Sequence, residues 1–159
     1  MNTYNQIPHI PFYFIRHGET DWNKHKNGLC AHDDIMLNET GVQQIKNAIP
    51  YLAPLGITKI YTSPLARTMQ TTKIINEQLN VPIEQHHGLY ATSDETISYT
   101  LAEILNNDQT TLIVSHGEVY RILLRILNVE TTELKAKNGS VYLFKPSDST
   151  LDYWSVYKY

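Results

Sequence analysis

Cysteine is nearly absent from the 159 residues: Cys30 stands alone, so no internal disulfide can form and an ordinary buried core must hold the fold. Glycine and proline, seven of each, are too scattered to mark a repeat, a linker or a low-complexity segment. No long apolar run is present. The stretch around Ile10 to Ile15 is short, is broken by Pro8 and Pro11 and follows no basic region, so neither a signal peptide nor a membrane span is expected. Nor is there a run of Lys or Arg. With 13 basic and 16 acidic residues the net charge is -3 and the pI about 6.1, which argues against a nucleic-acid binder. Any anion site must therefore be local, and cytoplasmic residence is the expectation.

What is present is enough apolar content, 42%, for one substantial core, so residues 1–159 read as a single domain. Apolar runs of strand length alternate with segments of helical period, the pattern of an α/β fold with a mostly parallel sheet. Phe12 to Ile15, Lys59 to Thr62, Val81 to Glu84 and Thr111 to Ser115 are expected strands. Val42, Ile45, Ile49 and Leu52 predict a helix that Pro50 kinks or ends early. A second helix is expected from Pro64, with Leu65, Met69, Thr72, Ile75 and Leu79 on one face. Ile97, Leu101 and Ile104 mark a third, and Val119, Ile122, Leu123, Ile126 and Leu127 a fourth. Gly139 to Phe144 and Leu151 to Tyr157 form a closing pair of strands around Pro146-Ser147-Asp148-Ser149.

Three of these strands end in residues that a core does not need: Arg16-His17-Gly18, Ser63-Pro64-Leu65-Ala66-Arg67 and Ser115-His116-Gly117. Ligands of open α/β sheets bind beyond the carboxyl ends of the strands, so two arginines and two histidines can meet there. Each signal alone is weak, since a histidine after a strand is most often structural. Together they are not. Two desolvated arginines at one sheet end repel unless an anion neutralises them, and guanidinium forks match the oxygens of a phosphoryl group. Helix N-termini after Gly18, Pro64 and Gly117 are expected to add N–H donors.

The segments RHGETDWN (Arg16 to Asn23), TSPLARTMQTT (Thr62 to Thr72) and VSHGEVYRILL (Val114 to Leu124) resemble the signature segments of the histidine phosphatase, or phosphoglycerate-mutase-like, superfamily. The spacer DDIMLNETGVQQ (Asp33 to Gln44) is similar to the segment that follows the first motif there. The resemblance implies a three-layer αβα sandwich with no metal or other cofactor, and a histidine that is transiently phosphorylated. Carried over by motif, His17 is the nucleophile, Arg16 and Arg67 clamp the phosphoryl group, His116 donates to its oxygens, and Thr20 and Asn23 add polar contacts. A neutral imidazole attacks through one ring nitrogen if a backbone carbonyl holds the N–H of the other.

Many members carry a glutamate that protonates the leaving alcohol; its counterpart here is Ala91, in Leu89-Tyr90-Ala91. Asp94 and Glu95 are the candidate substitutes, set against the commoner role of such residues at a helix start. Without that glutamate and without long insertions, the chain resembles the small bacterial phosphohistidine phosphatases. His86-His87 with His32 or Cys30 has no spacing that suits zinc. The expected function is a metal-independent phosphatase acting on a phosphorylated small molecule or a phosphohistidine protein. The alternatives are a mutase-type phosphotransferase and a phosphate-binding pseudoenzyme. No nucleic-acid or membrane partner is expected. The tail Tyr153, Trp154, Tyr157 and Tyr159 is read as sheet-edge packing or a homodimer contact.

Overall fold

The computed structural model describes residues 7–25, 35–90, 92–148 and 153–159. Among these, six strands form one sheet: β1 (Phe12–Arg16), β2 (Lys59–Thr62), β3 (Ile83–Gln85), β4 (Thr111–Ser115), β5 (Val141–Pro146) and β6 (Trp154–Lys158). Their order across the sheet is β3-β2-β4-β1-β5-β6. The four strands β3, β2, β4 and β1 run parallel, and β5 and β6 add an antiparallel flank.

Alternation along the strands decides where the helices go, because successive side chains point to opposite faces. Phe12, Phe14, Tyr61, Ile113, Tyr142 and Phe144 share one buried face, while Ile15, Ile60, Leu112, Val114 and Val141 share the other. Helices α2 (Glu39–Leu52) and α3 (Ala66–Leu79) cover the second face through Ile45, Leu52 and Ile75. Helices α4 (Asp94–Ile104) and α5 (Gly117–Ile126) cover the first through Ile97, Leu101, Val119 and Leu123. The result is the expected three-layer αβα sandwich. The short α1 (Asp21–His25) follows β1.

Several local readings shift. Pro50 does not end α2, which runs on to Leu52 and then tightens into a 3-10 turn at Ala53–Leu55. A proline in a helix forfeits one hydrogen bond, but the buried Ile45, Ala48 and Leu52 keep the segment on the sheet. Helix α3 begins at Ala66 rather than Pro64, because Ser63, restricted by the following proline, extends the β2 ladder by donating its N–H to the Val114 carbonyl (3.0 Å). Its buried face is Thr68, Thr71, Thr72 and Ile75 rather than a purely apolar stripe. Threonines serve there because the hydroxyls of Thr68 and Thr71 donate to backbone carbonyls of the same segment, leaving their methyl groups to pack. Ser149 and Leu151, in the last expected turn and strand, lie outside the described residues.

Candidate active site

The parallel ladder brings the three suspicious strand ends into one row. Arg16 pairs with Ser115 across β1 and β4, and Thr62 pairs with Val114 across β2 and β4. One residue further on, His17 donates its N–H to the Ser115 carbonyl at 3.1 Å. His17, Ser63 and His116 therefore leave the sheet side by side at its carboxyl end, where the fold places ligands. A cleft of about 600 Å³ opens there, and its lining includes Arg16, His17, Thr20, Asn23, Arg67 and His116.

Two glycines allow the loop after β1 to turn against α2. A Cβ on Gly18 would lie 2.5 Å from the Gly41 carbonyl oxygen, and one on Gly41 would lie 2.1 Å from the Glu19 oxygen, so neither position tolerates a side chain. Asn38 caps α2 by accepting from Gly41 N–H at 2.8 Å, and Thr71 of α3 accepts from Gly18 N–H at 3.3 Å. The loop carrying His17 is thus held from α2 and α3 together.

The His17 ring is 3% exposed, and its Nδ1 lies 2.7 Å from the Gly18 carbonyl oxygen. A carbonyl only accepts, so Nδ1 carries the proton and Nε2 keeps the lone pair. Burial pushes the pKa of His17 down to about 3; the Gly18 hydrogen bond opposes that, and the charges of Arg16 and Arg67 add to it. The ring is neutral at ordinary pH. His116, 8% exposed, meets His17 edge-on with ring centroids 5.4 Å apart. Its pKa falls to about 2, first through burial and then through His17, Arg67 and Arg16.

Arg16 continues the parity of Phe12 and Phe14, and one of its terminal nitrogens donates to the Ala136 carbonyl at 2.9 Å. Its Nε is buried with no partner, as is Nδ1 of His116. Burial lowers the Arg16 pKa, with further lowering from Arg121 and Arg67 against a smaller opposing effect of Tyr142. Arg16, Arg67, Arg121 and Lys135 line the cleft, against one carboxylate among the described lining residues, Glu118, which accepts from Arg121 at 2.7 Å. The unsatisfied buried Nε–H of Arg16 and the converging guanidinium groups call for an anion rich in oxygens.

Thr20 and Asn23 also line the cleft, but they cap α1 reciprocally. The Asn23 Oδ1 accepts from the Thr20 N–H (3.1 Å) and hydroxyl (3.0 Å), and Thr20 Oγ1 accepts from the Asn23 N–H at 3.3 Å. Their first role is to fix the loop.

Asp94 and Glu95, the candidate acids, stand apart from the other candidate residues. Both sit in the first turn of α4 and neither lines the cleft. Two guanidinium nitrogens of Arg125 donate to the two Asp94 carboxylate oxygens, Nε at 2.9 Å, and hold the pKa of that group below its usual range. An acid kept ionised by a guanidinium has no proton to give. Ser93 caps this helix, accepting from Thr96 N–H at 3.2 Å. Ala91, Cys30 and His32 lie outside the described residues. His86 is committed elsewhere: its Nδ1 accepts from Gly88 N–H at 3.0 Å and its Nε2 meets Glu103 at 2.8 Å. Among the described residues, no three His, Cys, Asp or Glu side chains come together as a metal site would need. No helix among the described residues is long and apolar enough to cross a membrane.

Residues without an assigned role also stand at the site. Ser63, Glu118 and Arg121 lie inside the quoted motifs. Asn138, which donates to the His17 carbonyl at 3.0 Å, comes from a loop with no periodic signal. Tyr90 sets its ring edge-on to His116 at 5.7 Å, on a turn whose Leu89 carbonyl accepts from the Ser115 hydroxyl at 2.7 Å.

The two buried neutral histidines make stability depend on pH. Their folded pKa values lie below the unfolded 6.5, so between about pH 6.5 and 3 the unfolded chain binds more protons than the native one. Their contribution is complete above pH 6.5 and is lost as pH falls through that window. The melting temperature of the free protein should drop from pH 7 to pH 4, and the His17→Asn, His116→Asn double variant should show a shallower slope. Equal slopes would contradict the burial argument.

The family model of the histidine phosphatase superfamily (branch 1) matches residues 12–93. An agropine synthesis reductase of Rhizobium rhizogenes is 33% identical over 167 residues, a match that covers 84% of this chain and 39% of the relative. The uncharacterized phosphatase PhoE of Bacillus subtilis (strain 168) is 44% identical over 69 residues, covering 43% of this chain and 35% of that one. The chain thus spans about two fifths of the length of such reductases. Among solved structures, the α-ribazole phosphatase of Shigella flexneri superposes with a TM-score of 0.76 at 15% identity, over 94% of this chain and 95% of that one.

Proposed function

The chain belongs to the histidine phosphatase superfamily (branch 1), and from that membership we propose that it is a metal-independent phosphatase that carries the phosphoryl group transiently on His17. The observation that supports this reading most is the His17 ring: neutral, with Nδ1–H committed to the Gly18 carbonyl and Nε2 left as a base beside Arg16, Arg67 and His116. Nε2 attacks phosphorus, the bond to the leaving oxygen or nitrogen breaks, and the phosphohistidine is then hydrolysed by water, which regenerates the neutral ring. Arg16, Arg67 and His116 stabilise charge on the phosphoryl oxygens, the part of phosphoryl transfer that most needs the protein. The substrate is a phosphomonoester or a protein phosphohistidine.

Hydrolysis of an aryl phosphate tests this. Turnover is expected and should survive a chelator, while Arg16→Ala and Arg67→Ala should each lower the rate about a hundredfold or more. Activity lost to chelator and restored by zinc or magnesium would overturn the metal-free reading. Saturable phosphate binding without turnover would identify a phosphate-binding pseudoenzyme instead.

A further inference from the structure

A neutral imidazole has one N–H and one lone pair, and which nitrogen holds the proton decides whether His116 can donate to an anion. Its Nε2 lies 2.7 Å from the Ser63 hydroxyl oxygen, and its Nδ1 is buried with no partner. Ser63 is itself fully buried at the end of β2. Its N–H goes to the Val114 carbonyl, and its own carbonyl accepts the hydroxyls of Thr62 (3.0 Å) and Thr68 (2.9 Å). The acceptor that the structure offers to its hydroxyl proton is Nε2 of His116.

The opposite arrangement fails on two counts. With the proton on Nε2, His116 would donate to Ser63, and the buried hydroxyl proton would lose its acceptor. Nδ1 would then present a lone pair, which repels phosphoryl oxygens. With the proton on Nδ1, one donor remains unsatisfied, and an anionic oxygen satisfies it.

We propose that Ser63 is the positioning residue of the second histidine: its hydroxyl donates to His116 Nε2, fixes the Nδ1–H tautomer and so turns a neutral ring into a hydrogen-bond donor for the phosphoryl group. The catalytic consequence rests on the phosphatase reading above, whereas the tautomer is a property of the free protein. The rest of the second motif supports this geometry. Pro64 keeps Ser63 extended, and Thr68 of α3 holds its carbonyl, so the hydroxyl is presented to His116 from a fixed backbone.

Nitrogen-15 NMR of the His116 ring in the full chain at pH 7 reads the tautomer directly. The native protein should show Nδ1 protonated and Nε2 unprotonated, with and without inorganic phosphate. Ser63→Ala should release the ring to a mixture or to the Nε2–H form and lower kcat by up to about a hundredfold, no more than the loss of one transition-state donor, with less effect on KM. An Nε2–H ring in the native protein would overturn the proposal. So would an unchanged tautomer in a folded Ser63→Ala variant. Should that variant fail to fold, the native spectrum decides alone. An Nδ1–H ring in a protein that never labels His17 would sink the phosphatase reading and leave the role of Ser63 standing.

Discussion

His17→Ala should remove both the covalent label and turnover, with a loss of at least ~10⁴-fold, as for deletion of a nucleophile on which the other groups depend. The expectation follows from how the ring is held. Its Nδ1–H is committed to the Gly18 carbonyl, its backbone N–H is tied to Ser115, and its carbonyl accepts from Asn138, so the position of Nε2 is set before any substrate arrives. A water molecule replacing the imidazole would inherit neither the fixed geometry nor the basic lone pair. Arg16, Arg67 and His116 would remain, so the variant should still bind phosphate or vanadate. The measurement is brief mixing with radiolabelled substrate and an alkaline quench, because phosphohistidine does not survive acid. The native chain should carry label that disappears in His17→Ala. Near-native turnover in the variant would contradict the mechanism.

The arrangement behind that expectation was legible in the sequence because each residue follows a strand end. Parallel pairing then forces the ends together: once Arg16 is opposite Ser115 and Thr62 opposite Val114, His17, Ser63 and His116 have nowhere else to go. The alternation of strands and helices likewise announced an α/β fold with a mostly parallel sheet, and the family resemblance implied its three layers. Helix faces were harder to read. The buried side of α3 includes Thr68 and Thr71, whose hydroxyls satisfy themselves locally, and a reading that counts apolar residues passes over those two. Pro50 misled for the opposite reason, since its local penalty is outweighed by the burial around it. Asp94 was ambiguous because the partner that decides its role, Arg125, lies 31 residues away on α5. Asn138 carried no signal at all, because a loop contact across 121 residues leaves no period and no spacing to read.

The pairing of Asp94 with Arg125 bears on which leaving groups the site can expel. Position 91 holds an alanine, which has no proton to give, and Asp94 is bound ionised to Arg125 outside the cleft. Glu118, the carboxylate among the described lining residues, already accepts from Arg121 and is 63% exposed. Among the described residues no uncommitted acid then faces an alkoxide leaving group, and general acid catalysis is typically worth ~100 to 10,000-fold. Rates along a series of phosphomonoesters should fall steeply as the leaving-group pKa rises, by about that factor between acidic phenols and simple alcohols. A phosphohistidine should escape the penalty, because transfer to His17 exchanges one imidazole for another, and donor and acceptor are matched in basicity. The series is to be run on the native chain and on Asp94→Asn, Glu95→Gln and Glu118→Gln. The same steep slope in all four supports a site without an acid and a substrate whose leaving group needs none. If the native series is flat and one variant makes it steep, that residue is the proton donor, and the preference for phosphohistidine or acidic aryl phosphates falls with it.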